Sequence, residues 1–116
     1  MKLRLVDVAH ARSGDKGDTA NVGVIALDRR WYPLLAKHLT LDRVRDHFRG
    51  VIAGGVERYE LPNLGALNFL LHGALDGGGT LSLKTDAQGK VYSTAMLRMV
   101  LDVPDAEARA AGIPGA

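Results

Sequence analysis

Leu3-Arg4-Leu5-Val6-Asp7-Val8-Ala9, His10-Ala11-Arg12-Ser13-Gly14-Asp15-Lys16-Gly17-Asp18-Thr19 and Asn21-Val22-Gly23-Val24-Ile25-Ala26-Leu27 stand almost end to end at the start of the chain. The first and third stretches are rich in Val, Leu and Ile. The middle one is polar, broken by glycine and without periodicity. The contrast predicts two strands, residues 3–9 and 21–27, joined by a loop over residues 10–19. The first strand carries apolar residues on both faces and is expected to be well covered.

Outward from this pair the pattern turns helical. Trp31, Leu34, Leu35 and His38 recur at helical spacing over residues 29–39, with Pro33 in the first turn, where its missing N–H does little harm. Thr40 is a natural N-cap for a second helix, with Asp42 in its first turn, Leu41, Val44 and Phe48 as its apolar stripe and Gly50 at its end. Residues 56–61 alternate and carry charge on both faces, which predicts a strand near an edge. Pro62 ends it, and Asn63 is placed to cap a third helix over residues 64–72, apolar nearly all round and closed by Gly73. Residues 80–85 read as a further strand. Residues 91–103 fit either a strand throughout or a short helix over 92–97 followed by a strand. Residues 105–116 read as a frayed helix or a flexible tail after a single domain over 1–104.

Strands at both ends and helices between, in the order ββααβαββ, predict an α+β two-layer sandwich. Its helices lie on one face of a mainly antiparallel sheet of about five strands, in a ferredoxin-like arrangement. A chain of 116 residues with 47% hydrophobic and 24% charged residues has the composition of one globular domain. It has no cysteine, which excludes disulfides, thiolate metal sites, iron–sulfur clusters and a thiol nucleophile. No apolar run reaches the roughly 18 residues that span a bilayer, and no signal segment opens the chain, so a cytoplasmic protein without membrane contact is expected. The net charge is only +2, the charges alternate in sign, and aromatic residues make up 5%. Nucleic-acid binding, which needs clustered cations and stacking rings, is not expected.

Chemistry concentrates in residues 10–21. Gly14 and Gly17 let the backbone turn N–H groups outward, a nest suited to phosphate or carboxylate. Arg12 and Lys16 add positive charge, one as a fork and one as a point. Asp15 and Asp18 oppose an anion unless they pair with those cations, cap the turn or hold a divalent ion. A polar turn tied by its own Asp–Lys pairs is the plain alternative. No Walker loop or nucleophile elbow is present, and no cofactor is expected. His10, Ser13 and Asp15 have the residue types of a triad, but adjacency in sequence is not triad geometry. Asn68 and His72, four residues apart on the expected helix, share a face: they are either a satisfied core pair or the wall of a pocket facing the 10–21 loop. The candidate binding set is therefore His10, Arg12, Ser13, Asp15, Lys16, Asp18, Asn21, Asn63, Asn68 and His72. No histidine pair has metal-site spacing, and no metal is expected. Glu57 and Tyr59 share one face of their strand and could edge a pocket or an interface.

Three stretches resemble one family. Residues Val8 to Gly23, with the core His10-Ala11-Arg12-Ser13-Gly14-Asp15-Lys16-Gly17-Asp18-Thr19, are similar to the signature of the ferredoxin-fold domain at the C-terminus of acyclic terpene utilisation (AtuA) proteins. So are Val56-Glu57-Arg58-Tyr59-Glu60-Leu61-Pro62-Asn63-Leu64-Gly65-Ala66-Leu67-Asn68-Phe69, and Leu70-Leu71-His72-Gly73-Ala74-Leu75 followed by Gly77-Gly78-Gly79. The resemblance covers roughly residues 3–103. It implies a ferredoxin-like α+β fold and an association with catabolism of acyclic terpenes and branched acyl-CoA compounds. It brings no established reaction and no catalytic residues. The larger N-terminal domain of AtuA is missing here, so the chain is expected to act with a separately encoded larger subunit or alone as a homo-oligomer, most simply a dimer. Two functions follow. One is an accessory module binding a partner subunit or a CoA-type anionic acyl ligand. The other is an enzyme or enzyme subunit acting on a CoA-linked or carboxylate substrate.

Overall fold

The polar stretch after His10 is a strand and not a loop. A computed structural model of the chain describes residues 1–16, 19–52, 54–73 and 90–116, with backbone alone at 15, 16, 90 and 91. In it β2 (Ala9–Lys16) pairs antiparallel with β3 (Thr19–Ala26), from Ala9 opposite Ala26 to Lys16 opposite Thr19. Ala9, Ala11 and Ser13 share the face turned toward the helix Lys90–Leu97, and His10 and Arg12 lie on the other, as an edge strand allows. The stretch expected as a first strand is divided. β1 (Lys2–Arg4) leads into one helical turn, α1 (Leu5–Val8). Leu5 and Val8, three apart, are both buried, whereas Val6 is 47% exposed; the burial follows helical rather than strand spacing. Arg4 and Asp7 pair across the turn at 2.9 Å.

Between β3 and the next strand come a 3-10 turn (Arg29–Trp31), α2 (Tyr32–His38) and α3 (Leu41–His47). Thr40 caps α3 as expected, its hydroxyl accepting from the Arg43 N–H at 3.2 Å. β4 (Val56–Leu61) follows and lies at the sheet edge. The third helix expected over residues 64–72 is not formed. Pro62–Leu64 is a 3-10 turn, Gly65 is left-handed at φ +62°, and β5 (Ala66–Leu71) is a strand paired with both β3 and β4. Leu67, Phe69 and Leu71 alternate into the core at 0–1% exposure, and Ala66, Asn68 and Leu70 lie on the other face. A strand with Leu67, Phe69 and Leu71 on one side and Ala66 and Leu70 on the other imitates a helix apolar all round.

α4 (Lys90–Leu97) is the short helix of the two alternatives for this region, and β6 (Val100–Asp102) pairs with β1 in a second, two-stranded sheet. The strand expected over 80–85 lies outside the described residues. The segment 105–116, read as frayed or flexible, holds α5 (Asp105–Ala110), and Ala108 and Ile113 are buried in the common core.

The main sheet has the order β2-β3-β5-β4 with every neighbouring pair antiparallel. β3 and β4 are therefore parallel, joined by α2 and α3, with β5 inserted between them. That is the split βαβ unit of ferredoxin-like folds. The remaining edge, beside β3, is taken by β2, which precedes the unit in the chain. The fold class is thus α+β with six strands among the described residues. α2 packs on β3, α3 beside β4 and α4 over β2 and β3, around Val22, Val24, Leu35, Phe69, Tyr92 and Met96. Arg58 closes the end of α2, donating to the carbonyls of Leu39 at 3.0 Å and Ala36 at 2.5 Å.

The open face of the sheet as candidate functional site

Strand parity sorts the polar residues. On β3, Ala20, Val22 and Val24 are buried, while Asn21 is exposed and Thr19, Gly23 and Ile25 are half-buried. The second set belongs to the face that no described helix covers. The register carries that face across the sheet. Arg12, Gly23, Asn68 and Tyr59 form one row, Gly14, Asn21, Leu70 and Glu57 the next, and His10, Ile25, Ala66 and Leu61 a third. With strands about 4.8 Å apart, each row spans roughly 15 Å.

A groove of about 470 Å³ lies on this face. Arg12, Asn21 and Asn68 line it together with Ile25, Leu61, Leu64 and Ala66. Arg12 has no hydrogen bond or ion pair among the described residues. Gly23 keeps the floor low: a Cβ there would sit 3.8 Å from Asn68 Oδ1 and 4.0 Å from the Arg12 carbonyl oxygen. Tyr59, Leu61 and Leu64 are 46%, 39% and 65% exposed, an apolar flank beside the polar centre.

One strand-end further on, four side chains form a hydrogen-bonded chain. Thr19 Oγ1 lies 3.1 Å from His72 Nδ1. His72 Nε2 bonds Glu57 Oε2, and the Tyr59 hydroxyl donates to Glu57 Oε1. The hydrogen bonds from Tyr59, then from His72, hold the Glu57 carboxyl below its usual range, so it is ionised. A carboxylate only accepts, so Nε2 carries a proton. In the neutral form of the ring this leaves Nδ1 as the acceptor, to which the Thr19 hydroxyl donates. Glu57 in turn raises the Tyr59 phenol.

The sequence-derived set is thereby partly assembled. Arg12, Asn21 and Asn68 meet at the groove. His72 sits at its end, tied to Thr19 and Glu57. His10 is on the same face, opposite Ile25, at the far end from His72. Ser13 pairs with Val22 and also lines a hollow against Ser93 and Thr94 of α4. Asn63 caps no helix; it stands in the 3-10 turn, and its carbonyl accepts from Arg29. Asp15 and Lys16 are placed by backbone alone, opposite Ala20 and Thr19. Asp18 lies outside the described residues. Thr19, Gly23, Glu57 and Tyr59 were not in the set. The alternation at 57–61 did put Glu57 and Tyr59 on one face, but their link to His72 depended on β5 being a strand. Among the described residues no group of three or more His, Asp or Glu is placed to hold a metal, and no helix is long and apolar enough to cross a membrane.

Fold and site together define a small ferredoxin-like α+β module with an open, amphipathic sheet face. The AtuA ferredoxin-like domain matches residues 3–102, and the chain belongs to that family. No curated protein and no solved structure matches it.

Proposed function

We propose that the chain is a binding module that takes an anionic acyl ligand on the open face of its sheet. The carrying observation is the Arg12 guanidinium, without a partner among the described residues, at the polar end of a groove whose other end is apolar. Arg12, Asn21 and Asn68 would hold a carboxylate or phosphate-bearing head, and Ile25, Leu61 and Leu64 the chain. A guanidinium is the side chain best suited to such a head, because its fork matches two oxygens. The family's tie to acyclic terpene utilisation supports a branched acyl group, free or as its CoA thioester. Lys16, opposite Thr19 in the hairpin, is the second cation of this reading. The reading keeps the chain in the cytoplasm.

Calorimetric titration with a branched medium-chain acid, its CoA thioester and inorganic phosphate tests it. Arg12→Ala is expected to weaken binding by about 1–3 kcal/mol, the range for a charge-assisted hydrogen bond. No heat from any of the three with the wild type would remove the reading.

The exposure of Tyr59, Leu61 and Leu64 favours a second reading, in which this face docks a second copy of the chain or a larger AtuA-like subunit. Light scattering at micromolar concentration tests the dimer; a monomer alone would count against it.

A further inference from the structure

The chain Thr19–His72–Glu57–Tyr59 has the connectivity of an activated nucleophile: a hydroxyl on a ring nitrogen, and the other ring nitrogen on a carboxylate. We propose that Thr19 is an acyl-accepting nucleophile with His72 as its general base, acting on an acyl thioester or activated ester whose acyl part lies in the groove. This rests on the acyl-ligand reading and adds a reaction to it.

Placement supports it. Thr19 and Asn21 are alternate residues of β3 on one face, so the hydroxyl stands about 7 Å along the strand from a groove residue. The His72 and Glu57 side chains are 39% and 47% exposed, so ester and water can both reach them. Thr19 itself is half-buried and held by the ring. Glu57 fixes the tautomer that makes Nδ1 the base, and Tyr59 holds the second oxygen of Glu57. Both are positioning residues.

In the first step Thr19 Oγ1 attacks the acyl carbonyl carbon. The O–C bond forms, the C–S bond breaks, and the hydroxyl proton passes to His72 Nδ1 and then to the departing thiolate. In the second step water attacks the acyl-threonine, giving its proton to His72. The Oγ1–C bond breaks, Thr19 regains the proton, and a free acid leaves. The net change is hydrolysis, with no oxidant or metal required.

The experiment uses p-nitrophenyl butyrate and a butyryl thioester, with turnover followed optically and the acyl adduct located by mass spectrometry of peptides. The expected result is butyryl on Thr19 in the wild type. Thr19→Ser should stay active, and Thr19→Val and His72→Gln should lose at least about a hundredfold in rate, the lower end of general-base contributions. Glu57→Gln should lower kcat at unchanged KM and displace the acidic limb of the pH profile. Butyrate titrated into Thr19→Val separates the two proposals. Binding without turnover in the wild type overturns the nucleophile and leaves the ligand reading intact. Acyl found on a lysine, or Thr19→Val as active as wild type, also overturns it.

Discussion

Gly54 shows how narrowly one residue is fixed. Its N–H donates to the His72 carbonyl at 2.8 Å, and the His72 N–H donates to Gly55 at 2.9 Å, so the ladder continues one step past β5. A Cβ at Gly54 would lie 2.7 Å from His72 Cβ and 2.8 Å from its carbonyl oxygen, distances that force backbone movement. At Gly55 nothing lies within 4 Å of the same atom. Gly54→Ala is expected to cost about 1–3 kcal/mol as an overpacking change, and to pull His72 off Thr19. Gly55→Ala should stay within about 0.5 kcal/mol, like most surface changes. Urea midpoints measure the stabilities, and the ring resonances of His72 report the contact. Equal midpoints for the two variants would show that the close approach is not a constraint. Which of Gly54 and Gly55 meets another strand is not legible in the sequence, because it is decided by a pairing with the distant His72 that is invisible in composition.

At the scale of elements, period was the sequence's strongest signal and also its main source of error. α2, the capped start of α3 and the alternation of β4 were legible, because each shows one clean period or one recognisable cap. β2 was not. An edge strand with a polar outer face and Ala on its inner face has no apolar alternation, and its evidence is the register with β3. β5 failed for the opposite reason: Ala66 and Leu70 on its outer face add to Leu67, Phe69 and Leu71 on its inner one, so periods 2 and 3.6 both fit. The expectation that Asn68 and His72 share a side survives the change of element, since a separation of four keeps parity on a strand as it does on a helix. Their link to Arg12 and Glu57 needed the strand. β3 offers a test of what the open face is for. Glycine inside a strand weakens it, and a Cβ at Gly23 would make only ordinary contacts. Gly23→Ala should therefore raise stability by up to about 1 kcal/mol, judged by thermal or urea unfolding. The same methyl would stand on the groove floor between Arg12 and Asn68 and should weaken ligand binding. A variant that gains stability and keeps full affinity would move the ligand off this face.

At the scale of the whole molecule, the family match ends at residue 102, but the core does not. Ala108 is fully buried and Ile113 is 5% exposed, both in contact with the common core. Glu107 of α5 reaches α2, where its carboxylate accepts from Lys37 and from His38 Nε2 at 3.3 Å. Residues 105–116 thus cover the α2 side of the core, and their contribution can be measured. Burying one Ile side chain is worth about 1.5–3 kcal/mol, so a chain ending at Val103 is expected to lose at least that much stability. Ile113→Ala alone should lose about 2 kcal/mol, the low end for a buried Ile near the surface. A pH dependence accompanies it. The Lys37 hydrogen bond, then that of His38, holds the Glu107 carboxyl below its usual range. A group whose folded pKa is lowered stabilises above its unfolded value and loses that contribution as pH falls through the folded one. The docking of α5 should therefore weaken on acidification below the ordinary carboxylate range, and Glu107→Gln should remove that acid-sensitive component while leaving the Ile113 contribution in place. Urea unfolding of the full chain, the chain ending at Val103, Ile113→Ala and Glu107→Gln at neutral and acid pH measures all of this. A truncated chain within a few tenths of a kcal/mol of the full one, the range of a neutral surface change, would make residues 105–116 a tail after all.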